Sequence, residues 1–393
     1  MLSIELKKRE DGTFLEESQE LADLNQKIMY LYVFTGVSAV ITLIYMCLIF
    51  CNCTALKKAI DVIDAASDFL AKTPWIVLTP LLFFVLQIIA VKLWLVSYFF
   101  VVSMNKIEPH STIPQMKTFE WEPEVKWMAI YMFFGILWVT AWLEYMCKFI
   151  IMVSSTTYYF NSNGAEGEEG SAEVGTGYKF AILHTGSLAI AAFIIAIVRL
   201  IRTIFYYIAR KAEESSGDNF AVKAIVRCAE CVLWCIEKIC DYINSSALAY
   251  QAVTGDDFCE SAWKMLLLQI KYVGTFTFAN FFAKVFVFMG KVSITGANLY
   301  SCYALMKAFG NLDEGSANSV SSTLPIFLIV GAVTYLAASV FLSILETAVL
   351  SMLTSHAIDL DINNGEPKYG PPTFYNKIAN KKDDDEKVTN DLE

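Results

Sequence analysis

Apolar residues in this chain come in long runs broken by compact polar segments, not in the short alternations of a half-buried sheet. Residues 29–50, 75–104, 126–160, 178–208, 274–309 and 324–355 are each long enough, at about 1.5 Å per helical residue, to cross a hydrocarbon core of about 30 Å. Two shorter stretches, 54–72 and 258–272, are amphipathic. In the first, Leu56, Ala59, Ile60, Ile63, Ala66 and Phe69 recur at helical spacing against Lys57, Lys58, Asp61, Asp64 and Asp68, which predicts a helix lying along an interface. Residues 222–252 are apolar but carry Lys223, Arg227, Glu230, Glu237, Lys238 and Asp241, and read either as a span inside a bundle or as a shallow helix. The pattern predicts an all-α polytopic membrane protein with six or seven transmembrane helices plus interfacial amphipathic helices, the count turning on 222–252.

The most telling polar positions lie within 274–309. At about 100° per residue, Asn280, Lys284, Lys291, Thr295 and Asn298 fall on one helical face. A Lys at the bilayer centre costs roughly 2.5–3.5 kcal/mol on insertion scales, so this seam is expected to face a bundle interior or a water-filled path. In the span 126–160, Glu144 and Lys148 stand four apart and can neutralise one another. Tyr131, Trp138, Trp142, Tyr145 and Phe149 form a separate aromatic stripe on the same span.

Loop charge gives conflicting topologies. Segments 161–177 and 310–323 contain no Lys or Arg, which favours the outside for both, whereas alternation through seven spans puts them on opposite sides.

Composition narrows the class. The hydrophobic fraction is 56% and the charged fraction 18%, with a mean hydropathy of +0.47, against about 25% charged residues in ordinary soluble domains. The net charge of -10 sits largely in the ends and loops. The sequence divides into an acidic segment 1–28, a transmembrane helical domain 29–356 and an acidic tail 357–393, and nothing in it suits nucleic acid. Residues 1–28 show neither a basic start followed by an apolar core nor an Arg-rich presequence, so insertion is expected to rely on the first span. The Gly-rich loop NSNGAEGEEGSAEVGTG carries carboxylates that repel an anion, which argues against a phosphate cradle.

Of ten cysteines, Cys228, Cys231 and Cys235 share a helical face, but with no His nearby and no second CxxC-like pair they read as free thiols. Cys51 and Cys53, at a membrane edge, are placed for palmitoylation. His110, His184 and His356 are far apart, and no nucleophile meets a base. No metal, cofactor or catalytic residue is expected, and the chain is not read as an enzyme.

Four ordered blocks carry a family resemblance. AILHTGSLAIAAFIIAIVRLIR (181–202), CAECVLWCIEKICDYINSSALAYQAVTGDDFCESAW (228–263), Met289-Gly290-Lys291, and LPIFLIVGAVTYLAASVFLSILETAVLSML through Asn363-Asn364-Gly365 resemble, in order, segments of the choline transporter-like family. ALKKAIDVIDAASDFLAKTP and the span after it resemble that family's cytosolic helix and next crossing. The resemblance implies a ten-helix transporter of choline and related ethanolamine-type organic cations in the plasma membrane, with 52–73 and the C-terminus cytosolic. An organelle membrane, mitochondrial included, stays open. It also implies that the chain begins near the family's fourth helix, without the first three helices and the large extracellular loop. Lys284 stands where the family carries an Asp.

A quaternary ammonium donates no hydrogen bond, so its site needs aromatic faces and a carboxylate. Trp94, Tyr98, Trp138 and Trp142 supply faces, although at helical spacing such residues also serve packing or the interface belt. Glu346 stands where the family has its acid before Thr347, and it shares a face with Tyr335 and Ser339. An intramembrane carboxylate is a functional candidate by default. Its alternative role is a structural partner for Lys284 or Lys291. The expected function is transport of choline-type cations across the lipid bilayer by alternating access, with a homo-oligomer or larger membrane complex as possible partners. The competing reading is a transport-inactive relative that serves as a structural or assembly subunit. A lipid-modifying enzyme has no support in the sequence.

Overall fold

The computed structural model describes residues 53–109, 117–163, 167–216, 220–309, 322–365 and 367–372, with isolated positions between 29 and 46. These fall into two compact units, Met1–Lys57 and Lys58–Glu393. In the first unit the described positions between 29 and 46 are helical. The rest of the expected first span, the acidic ends 1–28 and 373–393, Cys51 and His110 lie outside the described residues.

The amphipathic segment forms α1 (Cys53–Lys72). Its apolar side chains Val62, Ala65, Ala66 and Phe69 are buried, with the Phe69 ring 5.8 Å from Tyr158. A 3-10 turn opened by Pro74 redirects the chain into α2 (Leu78–Val102), whose apolar side chains are mostly exposed, as on a helix facing lipid. The proline-containing loop that follows folds locally into a hairpin, β1 (Lys106–Pro109) antiparallel to β2 (Lys117–Glu120), with Lys106 opposite Glu120. Asn105 ties its neck, donating to the Val102 carbonyl at 3.0 Å and accepting from the Glu122 N–H at 3.3 Å.

The central element is α3 (Pro123–Asn161), which at 39 residues and about 1.5 Å each far exceeds a hydrocarbon core. Its first turns leave Trp127 and Tyr131 exposed, whereas Phe149 through Val153, Tyr158 and Tyr159 are buried. The span expected at 178–208 is interrupted at His184, giving α4 (Val174–Leu183) and α5 (Thr185–Ser216). Residues 222–252 lie in a single helix, α6 (Phe220–Thr254). The second amphipathic stretch is α7 (Phe258–Lys271), the seamed segment α8 (Val273–Ala308), and the last helix α9 (Leu324–Ile362) runs past the expected end at 355. Around α3 stand α2, α4, α5, α6 and α9, while α8 packs mainly on α9. Among the described residues, four helical stretches are long and apolar enough to cross a membrane, Pro74–Val102, Pro123–Asn161, Thr185–Glu214 and Leu324–Ile362. The chain is a helical polytopic membrane protein.

α3 and α9 run parallel along a seam of hydroxyls. Ser351 donates to the Met152 carbonyl at 2.9 Å and lies 3.0 Å from Thr156 Oγ1, with Ser355 Oγ at 3.5 Å. Small polar side chains let the two backbones approach closely while satisfying one another. Beyond this seam, buried Asp359 gathers the end of the chain. Its Oδ2 accepts the Lys368 and Tyr369 N–H groups, each at 3.0 Å, and its Oδ1 accepts Asn363 Nδ2 at 2.7 Å. Gly370, at a φ of 126° that favours glycine, lies against the Tyr159 ring and donates its N–H to the Ser162 carbonyl at 3.2 Å. Lys72 pairs with Glu169, and Lys271 with Asp361, at this same end.

This arrangement resolves the loop conflict. α9 starts after Thr323 and the chain beyond its end returns to Ser162, so the described flanks of the two segments, Ser162 and Thr323, stand at opposite ends of α9. The absence of Lys and Arg therefore cannot mark both segments as outside.

Close packing of α4 on α3 gives a test. A Cβ on Gly177 would stand 2.8 Å from both the Ile150 carbonyl oxygen and Ser154 Oγ, whereas nothing lies within 4 Å of one on Gly186. Gly177→Val is expected to cost about 1–3 kcal/mol of stability through overpacking. Gly186→Ala is expected to be neutral or stabilising by up to about 1 kcal/mol. Thermal unfolding of the detergent-solubilised chain checks both signs.

Candidate functional site

Three helices carry charges into the bundle, and the structure brings them together. On α3, Glu144 and Lys148 pair at 2.8 Å, as their spacing predicts. Lys148 also reaches Asp241 of α6 at 3.9 Å. Arg199 of α5 links Glu144 of α3 and Glu237 of α6, each at 3.5 Å, and Arg202 pairs with Glu237. The Tyr145 hydroxyl donates to Asp241 at 3.0 Å and accepts from Asn244 Nδ2 at 3.3 Å, and Asn244 also donates to the Ala191 carbonyl at 3.0 Å. Lys148, Arg199 and Arg202 are thus balanced by Glu144, Glu237 and Asp241. An isolated charge in such a place would be expensive, and a neutral, hydrogen-bonded set is the arrangement that offsets the cost.

Glu346 of α9 is the seventh member. It makes no ion pair among the described residues and so pairs with neither Lys284 nor Lys291. The Ser351–Met152 contact sets the register of the parallel helices, placing Glu346 level with Cys147 of α3. Tyr335 lies three turns away towards the α9 N-terminus and is 40% exposed.

The seam on α8 faces two neighbours. Lys284 Nζ sits 5.4 Å from the centroid of the Tyr242 ring on α6, and Asn298 bonds Thr334 Oγ1 of α9 at 2.6 Å. Thr295 turns its hydroxyl back to the Lys291 carbonyl at 2.8 Å, and Asn280 and Lys291 are half-buried.

The aromatic candidates gather elsewhere. Ala90, Trp94, Tyr131, Phe134, Trp138 and Phe193 line a groove of about 440 Å³ bounded by α2, α3 and α5. Trp94 stacks on Tyr98 at 5.1 Å, and Trp138 meets the edge of Phe193 at 5.4 Å. Both indole N–H groups are committed, Trp94 to the Met132 carbonyl at 2.9 Å and Trp138 to the Ala189 carbonyl at 3.0 Å, so only ring faces are offered. Trp142 lies one turn nearer the charges, and its buried indole N–H finds no acceptor among the described residues. Trp138 is nine residues from the level of Glu346, about 14 Å along α3. Trp94, Tyr98 and Trp138 therefore share one place, and Glu346 stands in another.

Arg199, Arg202, Tyr145 and Asn244 were not candidates on sequence grounds. Their signal lay in the rule that a charge in an apolar helix needs a partner, applied to the Arg pair of VRLIR and to WCIEK together. His184 sits at the α4–α5 break between Phe149 and Phe180, its Nδ1 3.3 Å from Gln251 Nε2. Cys228, Cys231 and Cys235 are exposed, and among the described residues no group of His, Cys, Asp and Glu could hold a metal. Outside the bundle, at the α6–α7 corner, Lys264 bonds Asp256 at 2.8 Å and holds its carboxyl below the usual carboxylate range.

Comparison with known proteins gives the family context. The profile of a family described as plasma-membrane choline transporter matches residues 36–361. Choline transporter-like protein 3 of Bos taurus is 25% identical over 367 residues, 92% of this chain and 54% of that protein. Choline transporter-like protein 1 of Xenopus laevis is 25% identical over 356 residues, 90% and 52% of the two chains. Choline transporter-like protein 5 of Xenopus tropicalis is 30% identical over 203 residues, 50% and 28%. The chain spans about half the length of the first of these relatives.

The charge set makes its own prediction. Glu237→Gln removes the carboxylate between two guanidinium groups and is expected to cost about 1–3 kcal/mol. Adding Arg202→Gln should recover part of this, with a coupling of up to about 1 kcal/mol given the exposure of Arg202. Additive losses in a double-mutant thermal-unfolding cycle would show that the pair does not form.

Proposed function

Because the chain belongs to the plasma-membrane choline transporter family, we propose that it carries choline-type organic cations across the plasma membrane by alternating access, with Glu346 as the carboxylate that receives the cation. The observation that carries this reading is the charge balance. Six groups in the bundle neutralise one another, and Glu346 adds a negative charge with no ion pair among the described residues. A permanent organic cation satisfies such a site without donating a hydrogen bond, and aromatic ring faces solvate it on the way. Trp94, Tyr98 and Trp138 form the first station in this proposal and Trp142 the next towards Glu346. Tyr335 borders the route from α9. Asn280, Lys284, Lys291 and Asn298 give the route a polar wall.

Alternating access is supported by the uneven packing of the bundle. α3, α6 and α9 are buried together at the end tied by Asp359 and carry more exposed side chains towards the other, so the bundle is closed at the first end. A second reading, a non-transporting subunit of a membrane complex, is favoured by Lys291, midway along α8 with no ion pair among the described residues. An acidic helix of another chain would neutralise it.

Uptake of radiolabelled choline into proteoliposomes containing only the purified chain separates the readings. Saturable uptake is expected, falling at least about tenfold in Glu346→Gln and falling also in Trp94→Ala, at unchanged protein abundance; tenfold corresponds to about 1.4 kcal/mol. Unchanged uptake in Glu346→Gln would remove that residue from the site. No uptake by well-folded protein would favour the subunit reading.

A further inference from the structure

We infer that Lys284 is a tethered competitor, its ammonium group occupying an aromatic cation site on Tyr242 that an organic cation must win before it can settle beside Glu346. This inference rests on the transport reading above and names a regulator of the same region. Three observations carry it.

The first is contact. Lys284 Nζ lies 5.4 Å from the Tyr242 ring centroid, within the range of a cation–π interaction, and makes no ion pair among the described residues. The Tyr242 ring is held at its hydroxyl, which accepts a hydrogen bond from Gln269 Nε2 of α7 at 3.1 Å. A fixed aromatic face with an ammonium over it is the chemistry that recognises quaternary amines.

The second is register. On the antiparallel α8–α9 pair, a Cβ on Gly290 would meet Leu342 at 3.2 Å, and Asn298 bonds Thr334. Continuing that register puts Lys284 opposite Ala348, within one turn of Glu346. Tyr242 follows Asp241, which receives Tyr145 and Lys148. The resident ammonium and the unpaired carboxylate therefore stand at one height of the bundle.

The third is freedom to leave. Lys284 is exposed, and the contact of its ammonium group among the described residues is the Tyr242 ring. A group tethered this closely presents an effective concentration in the millimolar range or above. Occupancy of the ring by Lys284 lowers the fraction of competent sites, and the apparent affinity for a free cation falls by that same fraction.

Binding of radiolabelled choline to the purified full chain in detergent tests the idea. Lys284→Gln and Lys284→Met are expected to tighten the apparent Kd for choline about tenfold, while Lys284→Arg, which keeps the charge over the ring, leaves it unchanged. Removing the ring with Tyr242→Leu should abolish the effect of Lys284→Gln. Unchanged or weaker binding in monodisperse Lys284→Gln or Lys284→Met would overturn the inference and leave the transport reading standing. Failure of both variants to fold would assign Lys284 a structural role and overturn it as well. If neither the wild type nor the folded variants bind choline, the transport reading fails and this inference falls with it.

Discussion

An ionised side chain inside a bilayer has to be neutralised, and much of this bundle is arranged around that requirement. Glu144 and Lys148 on α3 settle one pair within a single helix. The guanidinium groups on α5 cannot do so, because no carboxylate lies on their own helix at the right height. α6 must therefore bring Glu237 and Asp241 alongside, which fixes its rotation and its height against α3 and α5. Asn244 completes the arrangement by tying the Tyr145 hydroxyl to the Ala191 carbonyl, so each of the three helices is held by polar contacts to both others.

Apolar burial plays a different part in the two halves of the molecule. Near the Asp359 end, residues such as Phe149, Tyr158, Leu188 and Met352 are buried as in a soluble core. Towards the hairpin, Leu93, Tyr131, Leu328 and Leu336 are exposed, and lipid is as apolar as they are. Specificity in the first half comes from packing and hydroxyl bonds. In the second it comes from the few polar groups that face inward.

The helices were largely legible from the sequence, because an apolar run longer than a hydrocarbon core is at home in a bilayer and in few other surroundings. Both amphipathic helices followed from their charged faces. The break at His184 was not legible, since AILHTGSLAI reads as continuous and the interruption depends on the tertiary packing of His184 against Phe149 and Gln251. The Lys106–Glu120 hairpin was hidden by the prolines of its loop; Pro109 sits in the last pair of the register, where a missing N–H costs the ladder least. Of the candidate site, Glu144 with Lys148 was visible because the partners are four residues apart. The ties to Arg199 and Asp241 were not, because they join positions 55 and roughly a hundred residues away, which only the fold brings near. The chemistry of the aromatic candidates is visible in the sequence, but their grouping around one groove depends on how α2 and α5 lean on α3.

The parallel course of α3 and α9 has a consequence in parity. Two helices of one chain can point the same way only if an odd number of crossings lies between them. α5 leaves the Asp359 end, α8 leaves it again later, and α9 returns to it beside Ser162. The chain must come back once between α5 and α8, and α6 is the segment long enough to do so. Its charges then lie on a helix set against α3, α5 and α9: a segment whose composition leaves its path ambiguous is given a direction, antiparallel to α5, by the partners its polar side chains find.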